Sequence, residues 1–174
     1  MRVNILAKDK VFYSLAYAYS EGVGVRSRNQ ARAVFFLRKS ARLGNPDAQY
    51  KLGHFYMNKI GVRRYEYKKA FRLFVLAHKA GLIAATCELA YCFSNGLGCK
   101  QDKKKALRLY KQSASAGDVL SNFNAGLFYE FGIGCRKNMK KAIGYYRRAA
   151  SAGDKDAVKI LRILESEENL LKNG

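Results

Sequence analysis

Leu89-Ala90-Tyr91-Cys92-Phe93-Ser94-Asn95-Gly96-Leu97-Gly98-Cys99 is one of four variants of a single pattern in this chain. Leu15-Ala16 leads into Gly22-Val23-Gly24-Val25, and Leu52-Gly53 into Lys59-Ile60-Gly61-Val62. Ala125-Gly126 leads into Gly132-Ile133-Gly134-Cys135. The closing glycines Gly24, Gly61, Gly98 and Gly134 are spaced 37, 37 and 36 residues apart. A fixed period between about 20 and 50 residues is the signature of stacked repeats, in which each unit buries its apolar face against its neighbours.

A second marker keeps the same phase. Ala33, Ala70, Ala106 and Ala142 each stand 11 residues before a lone glycine: Gly44, Gly81, Gly117 and Gly153. Each unit thus holds two apolar-periodic segments of about four turns, one ending near the G-x-G and one at the single glycine. Glycine suits the position just past a helix, where the chain turns left-handed and a Cβ is penalised. The pattern predicts helix A, turn, helix B, turn. The predicted helices are 9–21 and 28–43, 45–58 and 65–80, 82–95 and 102–116, 118–131 and 138–152. The repeats are 9–44, 45–81, 82–117 and 118–153. Asn45-Pro46, Asp102, Asp118 and Asp154 read as helix starts, where side-chain oxygens cap free amides and proline fits the first turn. A last helix, 154–171, starts like a helix A but lacks the G-x-G. Glu165, Glu167 and Glu168 make it polar, as a solenoid's terminal cap requires. Residues 1–174 form one repeat domain on this reading. A phosphate loop needs a strand before its glycines. Here a helix precedes them four times, so no nucleotide cofactor is expected.

The 174 residues include one proline and no tryptophan, and no apolar run approaches the ~18 residues of a membrane span. Lys8, Asp9 and Lys10 interrupt the N-terminal apolar stretch, which argues against a secretory signal and for a cytoplasmic protein. Cys99 and Cys135 occupy the turn positions held by Val25 and Val62 in the earlier repeats. All four cysteines, with Cys87 and Cys92, therefore read first as buried free thiols in a reducing compartment, ahead of a disulfide or a metal site. A metal site would call for C-x-x-C or added histidines, and His54 and His78 lie elsewhere in the repeat.

Leu52-Gly53, Tyr56, Gly61-Val62, Lys69-Ala70 and Gly81 resemble the unit of the Sel-one-like repeats, relatives of the tetratricopeptide repeats. So do Lys105-Ala106 with Ser113-Ala114 and Gly117, and Lys141-Ala142 with Ala149-Ala150 and Gly153. There are departures. Lys59 stands for a glycine, His78 for an alanine, and repeats one and two carry one extra residue between G-x-G and alanine. Local distortion of repeat two is expected. The resemblance implies an all-α, right-handed α-solenoid of four repeats plus a capping helix. It also implies an adaptor or scaffold that binds other proteins and is not an enzyme. It puts helix B on the convex side and one stripe of helix A on the concave wall.

In that phase the concave stripe reads Tyr13, Tyr17, Tyr50, His54 and Met57. It continues through Cys87, Tyr91, Asn95, Phe123, Leu127 and Phe131. It is aromatic, apolar and nearly uncharged. Leu15, Tyr19, Leu52, Tyr56, Leu89, Phe93 and Tyr129 fill the positions between helices. The stripe is thus left for a protein or peptide partner, although aromatics at helical spacing also build cores. The formal net charge is +20. Each of the four helix B segments with its leading turn carries six basic residues, against Glu66 and Asp102 alone. Lys103, Lys104, Lys105, Arg136, Lys137 and Lys140 are the densest cluster and the candidate anion-binding set. This supports two alternatives: binding of nucleic acid or anionic lipid on the convex face, and neutralisation of an acidic effector or toxin. No small-molecule substrate is implied. The one nucleophile–base pair the phase suggests is Cys87 with His54.

Overall fold

The computed structural model describes residues 3–173, with side chains described over 8–166. The helices among them are α1 (Val3–Glu21), α2 (Gln30–Arg42), α3 (Pro46–Met57), α4 (Tyr67–Lys79) and α5 (Ile83–Asn95). They continue as α6 (Lys103–Ser115), α7 (Val119–Phe131), α8 (Met139–Ser151) and α9 (Lys155–Asn173). No strand occurs among the described residues. Each helix packs chiefly on the next, so α1 to α9 make an all-helical repeat solenoid of four A–B pairs and a final helix. The helices begin one or two residues inside the predicted bounds, except α1, which extends back to Val3.

Local chemistry sets the helix ends. Asn29, Asp102 and Asn138 each accept the amide three residues on, from Arg32, Lys105 and Lys141. Asn45, Asp118 and Asp154 do the same for Ala48, Ser121 and Ala157. These caps each satisfy an amide with no partner inside the helix. Gly96 and Gly132 end α5 and α7 in the left-handed region, with φ of 70° and 67°. Lys59 adopts the same conformation at φ 58°. Repeat two therefore keeps the turn that the substitution was expected to distort, with the strain confined to one residue.

The registered glycines and alanines mark where backbones and rings meet. Ala33, Ala70, Ala106 and Ala142 are fully buried, and one turn later stand the buried Leu37, Phe74, Tyr110 and Tyr146. Phe74 and Tyr146 press on glycines of the paired helix A. A Cβ on Gly53 would lie 2.6 Å from the Phe74 ring, and one on Gly126 would meet the Tyr146 ring. The second glycine of G-x-G does a different job. A Cβ on Gly98 would overlap the Tyr67 carbonyl, and one on Gly134 would come within 2.6 Å of the Lys103 carbonyl carbon. The turn of each repeat thus closes onto the first turn of helix B in the repeat before it. Gly24 has open space there.

Candidate functional site

Tyr13 and Tyr17 of α1 line a small cleft with Lys51 and Phe55 of α3. His54 Nε2 on α3 lies 3.3 Å from Glu88 Oε1 on α5, linking neighbouring repeats. Tyr50 meets His54 edge-on, with centroids 4.6 Å apart, and both rings lie against Phe74 of the core. Burial raises the Tyr50 hydroxyl above its ordinary pKa, and the nearby Glu88, Cys87 and Asp118 add to the effect. Burial likewise raises Tyr13, helped by Asp47. Phe123 packs against Tyr146 at 5.8 Å.

The predicted stripe therefore divides by depth. Tyr17, Tyr91 and Phe131 point outward, 56%, 46% and 64% exposed. Asn95 is exposed too, but its amide donates to the Tyr91 carbonyl one turn back. Tyr13, Tyr50, His54, Phe123 and Leu127 are half-buried and form the base of the wall. Met57 and Cys87 do not reach the surface. Met57 shares its repeat position with Ser20 and Ser94, both buried at the junction of helices A and B. Cys87 occupies the row of Tyr13, Tyr50 and Phe123, but its side chain ends at Sγ, below the level those rings reach. Its thiol is pushed up to about 12, chiefly by burial, and the nearby Asp118 and Glu88 add to the effect. At neutral pH it is a protonated thiol, so pairing it with His54 supplies no nucleophile. Cys92 is likewise pushed to about 12, and all four cysteines are free.

Lys51 and Glu88 add charge to a wall expected to be nearly neutral. Glu88 stands three residues before Tyr91, one turn away on the same face, and that spacing was the available signal.

The basic residues of helix B also divide. Arg32, Lys69, Lys105 and Lys141 precede the registered alanines and sit over the helix A rings of Tyr19, Tyr56, Phe93 and Tyr129. Lys105 is the closest, 4.1 Å from the Phe93 centroid. One cation per repeat therefore covers the seam between its two helices. Of the candidate anion-binding set, Lys105 is engaged in this way, and Lys103 Nζ lies 3.5 Å from Ser94 Oγ. Lys104, Arg136, Lys137 and Lys140 are exposed. Arg136 and Lys137 share a cleft with Tyr129, Asn138 and Lys141.

Residues 13–45, 46–82, 83–118 and 119–154 each match the Sel1 repeat. The chain belongs to the Sel1 repeat family. Family members generally mediate protein–protein interaction. Among solved structures, this Sel1 repeat chain is similar to a Sel1 repeat protein from Oxalobacter formigenes (27% identity, TM-score 0.81), covering 88% of this chain and 60% of that one. It is also similar to a protective antigen of uropathogenic Escherichia coli with an SLR fold (30% identity, TM-score 0.78), covering 86% of this chain and 32% of that one. Helicobacter pylori cysteine rich protein B shares the fold at 22% identity and TM-score 0.59, covering 79% of this chain and 98% of that one. The chain thus spans less than two thirds of the first two proteins. No helix among the described residues is long and apolar enough to cross a membrane.

Proposed function

We propose that this Sel1 repeat chain is a scaffold that holds a protein partner against the wall formed by α1, α3, α5 and α7, the concave side by family resemblance. The observation that carries the reading is the exposure of Tyr17, Tyr91 and Phe131 on three different repeats, above a half-buried base that fixes their spacing. Aromatic anchors on a rigid base lose little entropy on binding and are typical interface hot spots. The net charge of +20 favours an acidic partner, and masking of an acidic effector is one form such binding takes. The free thiols suit a reducing compartment, in keeping with a cytoplasmic protein.

Site-specific photocrosslinking tests the placement. A benzophenone side chain in place of Tyr91 or Phe131 should give the same adduct in host extract, and one in place of the exposed Gln112 on α6 should give none. Adducts from position 112 alone would reject the wall.

A further inference from the structure

The entry to α4 reads Arg63-Arg64-Tyr65-Glu66-Tyr67-Lys68-Lys69, two tyrosines among four cations. In the structure the two rings stack on each other, centroids 5.6 Å apart and planes 9° from parallel. Tyr65 is 56% exposed and Tyr67 36%. The fold does not require this pair. The positions matching Tyr65 hold Arg28, Gln101 and Lys137, and those matching Tyr67 hold Gln30, Lys103 and Met139. Gly98 of the next repeat packs on the Tyr67 backbone, which anchors the turn without using the ring.

The stack opens onto a cleft of about 650 Å³ that also takes in Arg64, Lys68 and Lys100. Through Arg64 and Glu66 this cleft joins a second, lined by Arg38, Arg63 and the edge of Tyr56. Through Arg38 and Tyr56 the second joins a third, lined by Arg42, Lys69 and Arg72. The three make one furrow running from the α2–α4 groove to the turn before α6. Glu66 is its only acidic residue, and Lys69 and Arg64 both bind that carboxylate and hold it below the usual carboxylate range. Arg38, Arg42, Arg63, Lys68, Arg72 and Lys100 make no ion pair among the described residues. Arg38 Nε donates to the Tyr56 hydroxyl at 2.8 Å, which ties its guanidinium to another residue lining the furrow.

We propose that this furrow binds single-stranded nucleic acid, with a base stacked on the Tyr65–Tyr67 pair and the phosphates following Arg63, Arg38 and Arg72. A positive groove that tracks a backbone, combined with exposed aromatic faces, is how proteins hold single strands without reading sequence. A duplex hides its base faces and leaves the stack unused. An acidic protein segment would meet the charges and gain nothing from the flat π surface. This site is distinct from the aromatic wall and from the six-residue cluster around Lys104 and Arg136.

The test is fluorescence anisotropy of a labelled oligo(dT) of about 15 nucleotides, near the upper site size for one such groove. It uses the full chain, with matching duplex and poly-glutamate as competitors. Binding is expected to weaken with salt at a log–log slope of about −0.7 per phosphate engaged. Tyr65→Ala should weaken it about tenfold, from the loss of one base stack. Tyr65→Leu with Tyr67→Leu should do the same while keeping apolar bulk, and circular dichroism checks the helices of each variant. Arg63→Gln with Arg72→Gln should weaken binding, and Lys155→Gln with Arg162→Gln on α9 should change it little. Absence of oligo(dT) binding at low salt would overturn the proposal. So would unchanged affinity in both tyrosine variants, or equal competition by duplex or poly-glutamate.

Discussion

Replacing Gly98 by alanine tests how the repeats are stacked. Gly98 sits at φ 73°, and holding an L-residue left-handed costs about 1–2 kcal/mol. Its added Cβ would also overlap the Tyr67 carbonyl and come 2.8 Å from the Lys68 amide nitrogen. Both belong to backbone in the first turns of α4, which cannot rotate aside as a side chain can. Overpacking of this kind adds about 1–3 kcal/mol. Gly98→Ala should therefore cost about 2–5 kcal/mol in total. Gly24→Ala is the internal control, because φ is 68° there and the added Cβ meets nothing within 4 Å. It should lose only the conformational term, about 1–2 kcal/mol. The difference between the variants isolates the contact between neighbouring repeats. Urea unfolding followed by far-ultraviolet circular dichroism measures it, with the m-value reporting whether the array still unfolds as one unit. Equal losses at Gly24 and Gly98 would refute the argument, since the stack would then not rest on that close approach.

Gly126→Ala should lower the melting temperature by forcing a Cβ into the Tyr146 ring, costing about 1–3 kcal/mol, and Tyr146→Leu in the same chain should recover part of the loss. Ellman's reagent at neutral pH should label Cys99 and Cys135 in the native protein, and Cys87 and Cys92 only after unfolding. The buried pair also sets an alkaline limit. Unfolded thiols ionise near 9.0 and these near 12, so the native state keeps protons that the unfolded chain releases. Their contribution is complete below pH 9 and is lost between about 9 and 12, and Cys87→Ala with Cys92→Ala should flatten the fall in urea midpoint across that range. Lys105→Met should cost about 0.5–1 kcal/mol through loss of the cation over Phe93, whereas Lys104→Met should be nearly silent in the same melt.

The repeat architecture was legible because its determinants are local and recur. A glycine past a helix, a carboxylate or amide before one, and alanines in register act within a few residues of themselves. What lay beyond reach was the depth of each side chain. Helices α3, α5 and α7 are flanked on both sides, so their buried faces are wide and the outward strip is narrow. Met57 and Cys87 fall on the edge of that strip, and only the packing reveals that both are buried. Charge was misjudged for a related reason. Counting cations treats them as a field, yet Arg32, Lys69, Lys105 and Lys141 lie over rings of their own repeats. Tyr65 and Tyr67 stand at the entry to α4, outside the helical spacing that marks the other aromatics. The basic doublets on either side of them, Arg63-Arg64 and Lys68-Lys69, were the signal.

In the proposed function, aromatic area on the wall of helices α1, α3, α5 and α7 holds a protein partner. The measurement that bears on it most directly is the affinity for the captured partner across a salt titration, for two variant sets side by side. One carries Tyr17→Ala, Tyr91→Ala and Phe131→Ala, chosen because these side chains are exposed, whereas Tyr50 and Phe123 pack on Phe74 and Tyr146 and would disturb the core. The other carries Lys104→Gln, Arg136→Gln, Lys137→Gln and Lys140→Gln. The aromatic set should lose about 2 kcal/mol or more at a hot spot, and the parent affinity should depend weakly on salt. Binding that survives the three truncations, falls steeply with salt and disappears in the basic set would contradict it.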